Sequence, residues 1–191
     1  MKIDFGNKNW LNDDICYAYS YRFEETPVFV QKDGYVENQQ YGNGIYDYDN
    51  ISLLTKKKYS AGAKASIRCA FENLGAPLIV IADEMYTDKR GVLRYGDYLE
   101  IVLYKKGVNV WKMWMEDEKV SWKKLVGVEF PVSEGDIHTL STEITPEGLN
   151  VEADGHKFFL RIDDLYSTFH LGLDACEGIN RFYSFEIEET T

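Results

Sequence analysis

A chain of 191 residues that is 45% hydrophobic and 15% aromatic can bury a full core as one domain, without disulfide or metal staples. The same figures exclude disorder, because disordered chains are poor in aromatic and β-branched residues. A formal net charge of −11, from 21 basic and 32 acidic residues, repels phosphate backbones and anionic lipid heads, so neither nucleic acid nor membrane is an expected partner.

In chain order, the opening Met1-Lys2-Ile3-Asp4-Phe5 has no apolar h-region, and no signal peptide is expected. Short strands are expected near 17–23, 28–31 and 51–55, followed by Lys56-Lys57-Lys58 as a solvated loop or strand edge. Longer strands follow near 64–72 and 78–85. The apolar run Ala76 to Ala82 is far too short to span a bilayer. From Asp97 to Tyr104 the period is two: Leu99, Ile101 and Leu103 share one face, and Tyr98, Glu100, Val102 and Tyr104 the other. Lys105-Lys106-Gly107 supplies a turn, and Val108 to Trp114 returns as the next strand. Further strands are expected near 126–132, 138–145, 149–154 and 157–162, with Asp154-Gly155 as the clearest hairpin turn. Asp163-Asp164-Leu165-Tyr166 is long enough only for a single turn or short 3₁₀ element. Two closing strands alternate through Phe169, Leu171, Leu173 and Ala175 and through Arg181, Tyr183, Phe185 and Ile187, with Glu177-Gly178 between them. No segment keeps a 3.6-residue period over three turns. The expected fold is all-β, a two-sheet antiparallel jelly-roll β-sandwich.

Three stretches carry a family resemblance: Ala76 to Ala82, Arg94 to Tyr104 with the return Gly107 to Trp111, and Leu171 to Phe185. Together they resemble the concanavalin A-like lectin/glucanase jelly rolls, a superfamily of lectins, carbohydrate-binding modules and glycoside hydrolases. The resemblance implies a single domain over 1–191, a final strand returning beside the first, and carbohydrate as the ligand class. Laminarinase-type members carry ExDxE or ExDxxE on one strand; this sequence has no such string, so their catalytic assignment does not transfer. Asp47-Tyr48-Asp49-Asn50 is the nearest approach to the metal loop of the legume lectins.

Several residues are candidates for chemistry. Glycosidic hydrolysis commonly needs two carboxylates flanking the bond, and Glu100 with Glu84 or Asp174 could supply them if their strands are neighbours. Equally, Glu100 fits an ordinary polar position on a solvated face, and Asp174 a bond to a loop backbone. His170 alternates in phase with Asp174 and could orient a substrate. Trp111, Trp114 and Trp122 lie close in sequence, and sugar rings stack their C–H faces on aromatic planes. Trp111 and Trp114 differ by three, so on a strand they point to opposite faces and at least one belongs to the core. Tyr98 and Tyr104 complete the ligand-binding set.

Other chemistries find less support. His138, His156 and His170 lack metal-ligand spacing, so neither a metal nor another cofactor is expected. Gly42-Asn43-Gly44 is not followed by the lysine a phosphate loop needs. Cys16, Cys69 and Cys176 are scattered with no CxxC, as free thiols in a reducing compartment, so a cytoplasmic location is expected. The leading expectation is an oligosaccharide-binding jelly roll using one concave sheet face. A glycoside hydrolase is the alternative, and a non-catalytic protein-interaction sandwich the third.

Overall fold

The computed structural model describes every residue except Asn43, Ile45, Tyr46, Asp117, Glu118, Thr190 and Thr191. The centre of Gly42-Asn43-Gly44 and part of the segment between Trp114 and Trp122 therefore lie outside the described residues. The first strands are β1 (Lys2–Asp4), β2 (Ile15–Tyr17), β3 (Tyr19–Ser20), β4 (Val30–Gln31), β5 (Val36–Glu37) and β6 (Ile51–Thr55). The middle of the chain forms β7 (Ala63–Glu72), β8 (Ala76–Ala82), β9 (Met85–Thr87), β10 (Leu93–Tyr95), β11 (Tyr98–Tyr104), β12 (Gly107–Glu116) and β13 (Lys119–Glu129). The last third adds β14 (His138–Thr145), β15 (Gly148–Ala153), β16 (His156–Arg161), β17 (His170–Cys176) and β18 (Ile179–Glu189).

These strands form two large sheets. One runs β16-β15-β14-β7-β18-β5-β4, with β1 also paired to β18; the other runs β13-β12-β11-β8-β17-β6-β2. The pairing of Lys2, Ile3 and Asp4 with Glu186, Phe185 and Ser184 is the expected closure of the final strand beside the first. Between the sheets lies the main core, where Ile79, Ile81, Leu99, Ile101, Leu103, Leu171 and Leu173 meet Ile67, Leu140, Phe182 and Phe185. Each such side chain contributes roughly 1.5–3 kcal/mol on burial.

A third, small sheet, β3-β10-β9, does not belong to the sandwich. It covers part of the outer face of the seven-stranded sheet, where Ala18 and Tyr95 pack on Leu54, Leu78, Val80, Ala82, Tyr98 and Met113. This second layer explains β8. Every one of its residues is buried, Ile79 and Ile81 inward and Leu78, Val80 and Ala82 outward, so the strand reads as an unbroken apolar run.

The turns fall where the sequence reading puts them, while one strand departs from it. Asp154-Gly155 is the expected hairpin turn, with φ of 48° and 87° and Ala153 paired to His156. Glu177-Gly178, by contrast, links β17 to β18, which lie in different sheets. It packs against another inter-sheet turn, Asn73-Leu74-Gly75: a Cβ on Gly178 would fall 2.2 Å from the Gly75 nitrogen. The strand expected over 126–132 instead spans Lys119–Glu129 and ends before Pro131, which lacks the N–H a ladder needs. Asp163 and Asp164 form a turn with no helix.

Candidate functional site

Along β11 the outward side chains are Tyr98, Glu100, Val102 and Tyr104. Antiparallel pairing sets Met113, Trp111 and Asn109 of β12 opposite Tyr98, Glu100 and Val102. On β13, Trp122 pairs with Met113 and Lys124 with Trp111, after a bulge that begins between Val110 and Trp111. The two tryptophans thus share one sheet face as diagonal neighbours. Trp122 is 62% exposed.

Above this face opens a cleft of about 480 Å³. Its floor is Leu78, Val102, Trp111 and Met113, and Trp122 stands at its rim. Leu74, Gly75, Glu177 and Glu134 form one wall, fixed by the interlocked turns and by the Leu74 N–H donating to Glu134 Oε1 at 3.3 Å. Arg22, which follows β3, reaches in and donates from Nη2 to Glu100 Oε1 at 2.6 Å. Its guanidinium lies 5.2 Å from the Phe23 ring centroid and 5.9 Å from that of Tyr98. Burial raises the Glu100 carboxyl above its ordinary range, and Arg22 and the Tyr98 hydroxyl oppose this only in part. Arg22 Nε and Asn109 Oδ1 are buried without a hydrogen-bond partner.

Beside the cleft, under the small sheet, sits a polar cluster. Asp174 Oδ2 accepts from the Ser52 hydroxyl and, at 3.4 Å, from the Tyr95 hydroxyl; Ser52 and Tyr95 also bond each other at 3.0 Å. The Tyr98 hydroxyl bonds Ser20 Oγ at 2.9 Å. Burial pushes the Asp174 carboxyl up to about 7, with the nearby Glu100 charge adding to the rise. Cys176, at the cleft edge, is raised by burial and then by Asp174 and Glu100, which keeps it a thiol and a poor nucleophile.

No protein-family model matches the sequence, and no curated protein matches it. Solved structures match over nearly its whole length. The carbohydrate-binding module CBM66 from Bacillus subtilis superposes with a TM-score of 0.63 at 12% identity, covering 92% of this chain and 96% of that one. A glycoside hydrolase family 16 endo-glucanase from Bacteroides ovatus gives 0.63 at 12%, covering 98% and 99%. A pseudo β-1,3-glucanase of Mycobacterium tuberculosis gives 0.59 at 12%, covering 100% and 98%. The fold is the two-sheet jelly-roll sandwich that these structures share. At such identities the likeness is one of fold, and this jelly roll's chemistry rests on its own residues.

The jelly roll brings Glu100, Tyr104 and Trp111 together in the cleft. Tyr98 lies beside them but is fully buried, its ring against Tyr95 at 4.8 Å between centroids. Trp114 stands on the opposite face of β12, its indole N–H directed to Glu116 at 3.3 Å. Glu84 is exposed outside the cleft and bonded to Lys58 at 2.5 Å, which lowers its carboxyl below the ordinary value. His170 shares the outward phase of β17 but bonds the Thr55 carbonyl through Nδ1 at 2.8 Å, and burial lowers its pKa. Asp174 is in the covered cluster, its backbone on the order of 12 Å from that of Glu100, with β8 intervening and an offset of two residues. Arg22 was not a sequence candidate: it lies 78 residues from Glu100, and no local pattern marks it. Among the described residues, no group of three or more His, Cys, Asp or Glu could hold a metal, and no helix is long and apolar enough to cross a membrane.

Proposed function

We propose that the cleft of this jelly roll binds an oligosaccharide without cleaving it. The observation that carries the reading is the placement of Trp111 and Trp122 as diagonal neighbours on one face, beside the Arg22–Glu100 pair. Aromatic planes take the C–H faces of sugar rings, and a fixed guanidinium–carboxylate pair offers both donors and acceptors to hydroxyls. The carbohydrate-binding module among the structural neighbours is consistent with this use of the fold. Hydrolysis is less favoured because Glu100 is engaged by Arg22 and Asp174 faces Ser52 and Tyr95 under the small sheet. One observation keeps a hydrolase as the second reading: burial raises both Glu100 and Asp174, as a general acid requires.

Native mass spectrometry of the protein with a broad panel of oligosaccharides separates the two. Intact ligand retained without shorter products, and lost in Trp111→Ala, is the expected result. Shortened sugars, abolished by Glu100→Gln, would establish the hydrolase instead. No adduct and no product across the panel would overturn both.

A further inference from the structure

The cleft occupies only half of the sheet face on which it lies. From this sheet its lining draws on β8, β11, β12, β13 and the end of β17, with none from β6 or β2; Arg22, the Leu74-Gly75 turn, Phe71 of β7 and Glu134 also line it. Where the same face continues across β17 and β6, the outward positions are Asp174, Ser52 and Leu54, at 5%, 2% and 0% exposure. The small sheet closes them off. Tyr95 and Ala18 pack directly on this region, and the Ser52–Tyr95–Asp174 hydrogen bonds tie the cover to the sheet beneath. Arg22 stands at this boundary, bonded to Glu100 and set against the rings of Phe23 and Tyr98. At the other end, among the described residues, no comparable cover intervenes. β13 is the last strand of its sheet, and Trp122 on it is largely exposed.

A groove open at both ends accepts the middle of a polymer, whereas a blind one admits only an end. We propose that this cleft recognises the terminal residue of a glycan chain. That residue sits against the Arg22–Glu100 pair, and the sugars behind it leave over Trp111 and Trp122. The inference rests on the oligosaccharide reading and adds the mode of recognition. It also gives the small sheet a role: by covering β17 and β6 it converts a face-wide surface into a pocket with a back wall.

The test compares binding to β-glucan, xylan and mannan before and after limited random hydrolysis, at constant polysaccharide mass. For the polymer that binds, capacity should rise in proportion to the number of chain ends. Capacity that follows mass alone, whatever the number of ends, would overturn end recognition and leave oligosaccharide binding intact. Failure to bind any of these polymers or their fragments would overturn the binding reading itself, and this inference with it. Trp122→Ala supplies a second readout, since an exposed edge position tolerates truncation. It should lose several-fold more affinity for a hexasaccharide than for a disaccharide of the same sugar. An equal loss on both would mean that Trp122 does not follow the chain outward, and the proposed direction would fall.

Discussion

Replacing Asp174 with asparagine should stabilise the protein in mildly alkaline solution and have little effect in acid. The carboxyl is buried and its pKa is raised from 3.8 to about 7, so its ionised form is the disfavoured one. For a group raised on folding, the associated stability is complete below the unfolded pKa and is lost as pH climbs through the folded one. Here that window runs from 3.8 to about 7. At about 1.4 kcal/mol per pH unit, the whole interval is worth about 4 kcal/mol, an upper bound on the gain. The amide introduced by Asp174→Asn is uncharged at every pH, and its oxygen could still accept from Ser52, a bond that Asp174→Ala would lose. Urea unfolding followed by tryptophan fluorescence, run on both proteins between about pH 5 and about pH 8, reads the difference. Glu100 and His170 also titrate, but they are common to both proteins and drop out to first order. The gap between variant and wild type should widen as pH rises through the window and level off above about 7. A constant gap, or a variant less stable than wild type at the alkaline end, would refute the account of Asp174 as a carboxyl held neutral by burial.

The Arg22–Glu100 pair gives a second prediction: Arg22→Ala should cost about 3–5 kcal/mol near neutral pH, by leaving a buried carboxylate unpaired. Glu100→Gln should cost less, because Arg22 remains partly solvated, and urea titration showing the reverse order would contradict this. Trp111→Ala should abolish glycan retention in the native mass spectrum while Trp114→Ala leaves it intact, since the two side chains lie on opposite faces of β12. Gly107→Ala should lower the melting temperature, with a loss of at least about 1–3 kcal/mol. Gly107 has φ 126°, and an added Cβ would fall 2.0 Å from the Val128 carbonyl oxygen. An unchanged melting curve would contradict the register of β12 against β13.

Alternation made the sandwich legible. The split of β11 into Leu99, Ile101 and Leu103 against Tyr98, Glu100 and Val102 is the split seen between the main core and the outer face. What alternation cannot register is a further layer. Tyr98 reads as a polar-edged aromatic on an open face, yet the small sheet covers it completely, because a period of two marks which side a residue faces and not what lies there. Arg22 was missed for a related reason: its partner is on a distant strand, and ion pairs of this kind leave no spacing in the sequence. Trp122 was visible as one of three clustered tryptophans. Its alignment with Trp111 depends on the bulge between β12 and β13: counting by twos along β13 puts Trp122 in phase with Val126 and Val128, which pack on the main core, and only the shifted register turns Trp122 to the outer face.

The free edges of the two sheets bear on how the molecule behaves at high concentration. On one flank the outermost strands, β4 and β2, are only 2 and 3 residues long and give a neighbouring chain little to pair with. On the other flank β13 and β16 are long enough to template a partner strand. There the chain, acidic as a whole, displays Lys119, Lys123 and Lys124 on β13 and Lys157 and Arg161 on β16. Two copies meeting through β13 would bring rows of lysine together, an arrangement that resists edge-to-edge growth into fibres. That resistance is electrostatic and fades as salt shortens the screening length, about 8 Å at physiological ionic strength and about 3 Å at 1 M. Concentrated stocks should therefore stay dispersed in dilute buffer and lose that protection in strong brine.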